Sequence, residues 1–428
     1  MEMTNIRVRI APSPTGIPHI GNTRTALFNW LFARANNGKF IVRVEDTDRQ
    51  RLVEGSLEKI LEILEFLGLD WNEGPKVGGD FGPYIQSERK DLYQKYAKIL
   101  VEKGMAYEDE GAVRFKVEKG KIWKWDDQVH GEISFKSDVL EDFVILKSDG
   151  FPTYHLAVVV DDNAMKISHV LRGDEWISST PKHLMLYSKL GWKPPVFGHL
   201  PLILGPDKSK LSKRHGAQSV LDYRDEGYLA ESLINFMALL GWSPKDNQEI
   251  LSLEVLIKKF DLKDVNTTNP IFNRDKLDWF NRKWIKKLSN EDLYLRLQPF
   301  IPKDWDKNYV VASLDDAKER MTILPDFATF VKGEFERPKT VYVKRVAQKP
   351  EDKKFIKEYL SFLGNVEFIS GNLETKSLEF VKGSKLDLRS TFMLVRRIVL
   401  GADITLPLFS AFERMGKEEV LERLKNAI

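Results

Sequence analysis

The sequence runs to 428 residues, 42% apolar, 30% charged and 11% aromatic, too long for one ordinary core, so two to four domains are expected. No stretch approaches the ~20 apolar residues of a membrane span, and the polar start from Met1 to Asn5 lacks a signal-peptide apolar region, so a cytoplasmic protein is expected. The 66 basic and 63 acidic residues balance too closely to mark a nucleic-acid binder by themselves, and the lack of Cys excludes disulfides, a thiolate nucleophile and Cys-based zinc.

Arg7–Ile10 alternates polar and apolar residues and reads as a strand, ending in the breaker-rich run Ala11-Pro-Ser-Pro-Thr-Gly16-Ile-Pro18. A helix over Thr23–Arg34 follows, with Asn22 or Thr23 as its N-cap and Asn36-Asn-Gly38 as its end. Phe40–Glu45 reads as a strand buried on both faces and Ser56–Phe66 as an amphipathic helix. Phe143–Leu146, Ala157–Val160 and Pro195–Phe197 read as further short strands, so a doubly wound parallel α/β sheet is expected. Residues 105–145 interrupt it with Gly-punctuated, strand-like and charged sequence, an insertion hung on the sheet. Beyond about residue 225 the pattern turns helical.

Three basic clusters stand beside or among these elements. Lys116, Lys119, Lys121 and Lys124 alternate with Trp123 and Trp125; Arg282, Lys283, Lys286 and Lys287 surround Trp284; Lys339, Lys344, Arg345, Lys349, Lys353 and Lys354 share one short stretch. Each alone reads as a solvated face. Together, and beside aromatics, they suit a phosphate backbone and exposed bases.

Two elements carry chemistry. A loop that leaves a parallel strand and opens a helix at Pro18-His-Ile-Gly21 presents free N–H groups and the positive end of the helix dipole to a triphosphate. Gly21 permits close approach, and the His19 imidazole can donate to phosphate oxygens as charge builds. A His before a Gly is usually an ordinary packed or exposed residue. The second element, Asp207–Gly216, sets Lys208, Lys210, Lys213 and Arg214 within seven residues, a basic loop able to close over a polyphosphate. The pair points to a nucleotide site.

These segments resemble the bacterial-type glutamyl-tRNA synthetase family, a branch of the class I aminoacyl-tRNA synthetases. Arg9-Ile-Ala-Pro-Ser-Pro-Thr-Gly16 with His19-Ile-Gly21 is similar to that family's form of the HIGH signature, and Lys210-Leu-Ser-Lys-Arg214-His-Gly-Ala217 to its lysine-rich KMSKS loop. Phe40–Asp48, Gly82–Arg89, Leu146–Gly150, Pro152–Tyr154, Val159–Asp162, Arg172–Trp176, Phe392–Arg396 and Gly416–Arg423 look like further family blocks in family order. The HIGH motif's last position is Asn22, so only His19 and Gly21 carry over. The insertion is short beside the family's, and without Cys no zinc is expected there.

A dicarboxylic amino acid needs cations at its side-chain carboxylate and an anion near its ammonium group. Arg9 and Arg172 suit the first task and Glu45 the second; Arg9 on the first strand and Glu45 at the end of the next can reach one crevice at the sheet's carboxyl edge. The resemblance adds Ala11, Ser13 and Tyr154 to the glutamate pocket. It assigns His19, Gly21, Glu175, Trp176, Lys210, Leu211, Ser212, Lys213 and Arg214 to ATP, with His19, Lys210 and Lys213 as the catalytic groups. It implies ATP as substrate with Mg²⁺, no metal held by side chains, tRNA(Glu) as partner with tRNA(Gln) as the alternative, glutamate activation that depends on bound tRNA, and a monomer. It also implies a Rossmann-like catalytic domain over 1–226 interrupted by an α/β acceptor-stem insertion over 105–145, a stem-contact helical domain over 227–290 and a helical anticodon-binding domain over 291–428. A glutaminyl enzyme would not call for an arginine pair, a small-molecule adenylyl-transferring ligase would not explain the basic helical half, and a non-catalytic tRNA binder would not retain His19 and Lys213.

Overall fold

In the computed structural model, which describes residues 6–212, 218–384 and 386–428, the chain enters through β1 (Arg7–Ile10), crosses over through α1 (Ile20–Ala35) and returns as β2 (Lys39–Val42), paired in parallel with β1. A parallel pair requires such a crossover. α1 begins three residues ahead of Thr23, and its cap is His19: the imidazole Nδ1 accepts the Gly21 N–H at 3.0 Å, the task usually done by a Ser or Asp oxygen. Asn22 and Thr23 lie inside the helix. Burial from Ala26 to Leu31 makes α1 apolar on most sides, and at its far end Gly38 is needed because a Cβ there would come within 2.5 Å of the Ile6 carbonyl oxygen.

The chain continues through α2 (Ser56–Phe66), α3 (Lys90–Glu102), β3 (Ala106–Asp109), β4 (Ala112–Phe115), β5 (Ile122–Asp127), β6 (Gly131–Lys136), β7 (Phe143–Leu146), α4 (Tyr154–Ala164), β8 (His169–Gly173), α5 (Thr180–Leu190) and β9 (Val196–Leu200). β8 pairs in parallel with β9. Ser168, just ahead of β8, ties it beside β1: its amide donates to the Arg7 carbonyl at 2.9 Å and its hydroxyl accepts the Arg7 N–H at 2.8 Å. The parallel layer therefore runs β2, β1, β8, β9, the arrangement of a doubly wound Rossmann-like domain.

Residues 105–145 divide in two. β3 and β4 join β7 in an antiparallel sheet, whereas the β5–β6 hairpin attaches to the parallel layer itself, β5 meeting β9 at Asp127 and Phe197 to give the order β6-β5-β9-β8. Regular structure within this segment is β, with one 3₁₀ turn at Ser137–Val139.

The expected strand Ala157–Val160 is instead the middle of α4. Leu156 to Asp162 are all buried, and an apolar run covered on every side has no period by which to tell strand from helix. Phe40–Glu45 forms a shorter strand ending at Val42, with Val44 adding a single bridge to Ile85.

After β9 come α6 (Val220–Asp225), α7 (Ala230–Ala238), α8 (Leu253–Lys259) and α9 (Arg274–Lys287). The chain forms two compact units, residues 1–225 with 230–280 and residues 226–229 with 281–428, so the boundary falls inside α9. The second unit holds α10 (Asn290–Leu297), α11 (Lys307–Lys318), α12 (Asp326–Phe335), α13 (Thr340–Val346), α14 (Pro350–Leu363), α15 (Ser370–Gly383), α16 (Leu388–Leu400), α17 (Leu408–Met415) and α18 (Lys417–Lys425). Its core gathers Phe355, Tyr359, Ile398, Phe412 and Leu424 from four amphipathic helices. Among the described residues no helix is long and apolar enough to cross a membrane.

Candidate active site

Where β1, β2 and β8 end, a cavity of about 260 Å³ opens against the start of α1. Arg9, Ala11, Glu45, Tyr154 and Arg172 line it, as do His19, Gly21, Glu175, Trp176, Lys210 and Leu211. Ser13 and Ser212 are described but do not line it. Lys213 and Arg214 lie outside the described residues.

The parallel register explains why Arg9 and Glu45 meet. Arg9 stands opposite Ile41, the Arg43 amide donates to the Ile10 carbonyl at 3.0 Å, and the Glu45 amide donates to the Pro12 carbonyl at 2.9 Å. Both chains thus leave the sheet side by side at its carboxyl edge, where ligands of doubly wound sheets sit. Arg9 Nε and Nη2 donate to the two Asp162 oxygens at 3.0 and 3.3 Å, and Arg43 Nη1 and Nη2 donate to Asp162 and Glu45 at 2.6 and 3.0 Å. Arg89 joins through Asp161 at 2.7 Å. Three arginines thus face three carboxylates. Burial pushes the Glu45 carboxyl above its ordinary value despite Arg43, while Asp162, although buried, is held below its ordinary value by Arg9 and Arg43.

Arg172 is held differently. Nε donates to His199 Nε2 at 3.1 Å, Nη1 to the Tyr154 hydroxyl at 3.1 Å and toward His183 Nδ1 at 3.3 Å, and Nη2 to Thr180 Oγ1 at 2.8 Å and the Trp176 carbonyl at 3.3 Å. None of these acceptors is a carboxylate. Burial lowers both histidines, His183 well below its ordinary value, so the acceptors are neutral rings. Arg172 is 5% exposed, and burial lowers its pKa too, yet a guanidinium stays charged at neutral pH. Arg24, also at the cavity, donates to the Leu240 and Pro201 carbonyls and stacks over the Phe28 ring, and burial lowers it to about 10.

The nucleotide side follows from the cap. With Nδ1 engaged by the Gly21 amide, the His19 proton sits on Nε2, and burial together with nearby Lys210 lowers the pKa, so the ring is a neutral N–H donor. A Cβ at Gly21 would lie 2.8 Å from His19 Cε1, so only glycine leaves the imidazole this pose. Lys210 Nζ stands 3.5 Å from Glu175, more than half exposed and available to a more strongly charged partner. The Trp176 and Tyr154 rings lie 4.4 Å apart. Neutral donor, exposed cation, helix N-terminus and aromatic wall together suit a nucleoside triphosphate.

Sequence reasoning missed Asp162, His199 and Thr180, the partners of Arg9 and Arg172. Only Asp161-Asp162 carried a usable signal, since two acids closing a run of valines must find cations if they are buried.

The family profile described as "tRNA synthetases class I (E and Q), catalytic domain" matches residues 5–112 and 108–279, and that of an "Anticodon binding domain" matches 292–428. A glutamate–tRNA ligase of Dehalococcoides mccartyi is 45% identical over 483 aligned positions, covering all of this chain and 98% of the relative. Glutamate–tRNA ligase 2 of Fervidobacterium nodosum is 40% identical, covering 99% and 96%. Among solved structures, a glutamate tRNA ligase from Elizabethkingia meningosepticum in complex with its amino acid superposes with a TM-score of 0.89 at 33% identity, covering 99% of each chain.

Proposed function

The chain belongs to the class I glutamyl-tRNA synthetases, and from that premise we propose how its residues divide the work of a glutamate–tRNA ligase. Such an enzyme joins L-glutamate to the 3′ end of tRNA at the expense of ATP. The glutamate α-carboxylate oxygen attacks the α-phosphorus of ATP in line, a new O–P bond forms, and pyrophosphate leaves. A hydroxyl of the terminal ribose of tRNA(Glu) then attacks the acyl carbon, and AMP departs. No covalent enzyme intermediate is needed, so the protein mainly positions and neutralises.

Arg172, with Tyr154 and Arg9, meets the glutamate side-chain carboxylate, Glu45 meets the ammonium group, and Ala11 and Ser13 complete that pocket. His19 Nε2–H and the amides opening α1 stabilise the nucleotide phosphates; Lys210 and Lys213 bind the departing pyrophosphate. Gly21, Glu175, Trp176, Leu211, Ser212 and Arg214 complete the ATP side. In this reading Mg²⁺ enters as the counterion that ATP brings, without a dedicated protein cage. Residues 105–145 serve the acceptor end, 227–290 the stem and 291–428 the anticodon of tRNA(Glu), in a cytoplasmic monomer.

The observation that carries the proposal is one cavity lined by Arg9, Glu45 and Arg172 beside His19 and Lys210. Pyrophosphate exchange into ATP with glutamate, measured with and without tRNA, tests it: exchange that requires glutamate and is not supported by glutamine is expected, and exchange with glutamine alone would overturn it. Charging purified tRNA(Glu) and tRNA(Gln) side by side decides the partner. Lys213→Ala lowers the single-turnover rate of adenylate formation by orders of magnitude, about 10²-fold or more; an unchanged rate removes that residue from the assignment.

A further inference from the structure

His199, on β9, is fully buried, and its two ring nitrogens face different partners: Nδ1 lies 2.5 Å from Asp127 Oδ2, and Nε2 lies 3.1 Å from Arg172 Nε. A guanidinium carries donors only, so Nε2 must present its lone pair and the ring proton must sit on Nδ1, toward Asp127. The other Asp127 oxygen accepts the amides of Val129, His130 and His199 at 3.1, 3.2 and 3.1 Å, which fixes the carboxylate where the β5–β6 hairpin turns. Despite its burial, Asp127 is held below its ordinary value, first by its hydrogen bond with the His199 imidazole and then by the His199 and Val129 amides.

We propose that Asp127 and His199 are positioning residues for glutamate binding: Asp127 holds His199 in the tautomer that accepts from Arg172, and the imidazole in turn orients the Arg172 guanidinium toward the substrate side-chain carboxylate. The inference rests on the reading that Arg172 meets that carboxylate. In the other tautomer Nε2–H would oppose Arg172 Nε–H, donor against donor in a buried place, and the guanidinium would be displaced. The relay also explains an otherwise odd arrangement. A carboxylate set directly on Arg172, as Asp162 is set on Arg9, would compete with the substrate for the same charge; an interposed neutral ring transmits orientation and leaves the charge free. It gives the β5–β6 hairpin a second role, since that hairpin joins β9 at Asp127 and so supplies the outermost member of the relay from a segment that sequence alone assigns to tRNA.

Aminoacylation at saturating ATP and tRNA(Glu) reports the KM for glutamate. Asp127→Asn, which keeps an oxygen for the three amides, raises that KM about tenfold or more and leaves the KM for ATP unchanged. Adding His199→Gln, whose amide oxygen accepts from Arg172 without tautomer control, recovers most of the loss. An unchanged KM in Asp127→Asn, or a double variant no better than the single one, overturns the relay. Arg172→Ala is the control: if it leaves the KM unchanged, the reading of the pocket fails; if it raises the KM while Asp127→Asn does not, only the relay fails. Should Asp127→Asn not fold, His199→Gln against His199→Leu decides, with a lower KM expected for Gln and equal values overturning the proposal.

Discussion

Arg414 of the helical unit and Arg172 of the catalytic unit are held in opposite ways. In the helical unit Arg414 donates to both Glu334 oxygens at 2.9 Å and to Asp316 at 2.6 Å, and Tyr309 completes the group by donating to Glu334 at 2.9 Å. In the catalytic unit Arg172 reaches five neutral acceptors and no carboxylate. An arginine matched by acids joins helices and presents little field to anything else. One held by neutral groups is just as fixed, yet its charge waits for a ligand. Arg9 is intermediate: it lines the cavity, but Asp162 already answers its charge, so in the proposed pocket Arg172 offers a substrate carboxylate the stronger attraction.

If that division is right, breaking a scaffold pair damages stability and spares chemistry. Arg414→Met leaves Glu334 buried without its cation and should cost about 3–5 kcal/mol. Urea unfolding followed by a probe in residues 281–428 measures this, while glutamate-dependent pyrophosphate exchange, for which the first unit holds the candidate site, should keep its KM for glutamate. A raised KM would show that the helical pair also serves the pocket.

A smaller effect belongs to the first unit. Arg7 lies two residues from Arg9 on the same strand, and both its terminal nitrogens donate to Glu73, at 2.7 and 2.9 Å. The hydrogen bonds from Arg7, aided by Tyr84 and Lys39, bring Glu73 down to about 2. Because the folded-state value is depressed, the stability it contributes is present above the unfolded value near 4.5 and is lost as pH falls toward 2, about 3 kcal/mol at ~1.4 kcal/mol per pH unit. The gap in urea midpoint between wild type and Glu73→Gln should therefore be widest above pH 4.5 and close toward pH 2. A gap independent of pH would mean that the pair acts through packing.

How far the sequence reveals this division depends on the range of the interactions. The first crossover is legible because its signals are local: an alternating strand, breakers, a helix and an apolar strand follow one another between Arg7 and Glu45. The His19 turn is legible once the lysine-rich loop and the family resemblance stand beside it, and the Arg9, Glu45 and Arg172 set through its charges and that resemblance. The pairing of β5 with β9 is not, since Asp127 and Phe197 lie seventy residues apart and nothing near either position announces the other. The helix cap escaped for a different reason. His rarely caps, and only the placed imidazole shows that Nδ1 takes the oxygen's part. α4 was hidden because burial on all sides erases the period that separates helix from strand.

The smallest expected effect tests the neutral acceptors themselves. Thr180 is fully buried at the start of α5, and its hydroxyl accepts from Arg172 Nη2 at 2.8 Å while lying 3.3 Å from His199 Nε2. Thr180→Val replaces the hydroxyl with a methyl and so removes the acceptor. The Trp176 carbonyl still receives Nη2, so the guanidinium loses direction rather than all support, and a penalty of about 1 kcal/mol follows, or roughly a fivefold rise in the KM for glutamate. The melting temperature should hardly move, because no buried carboxylate is left alone. If instead the KM is unchanged and stability falls, the hydroxyl serves the packing of α5, and Arg172 is oriented by its histidines and Tyr154 without it.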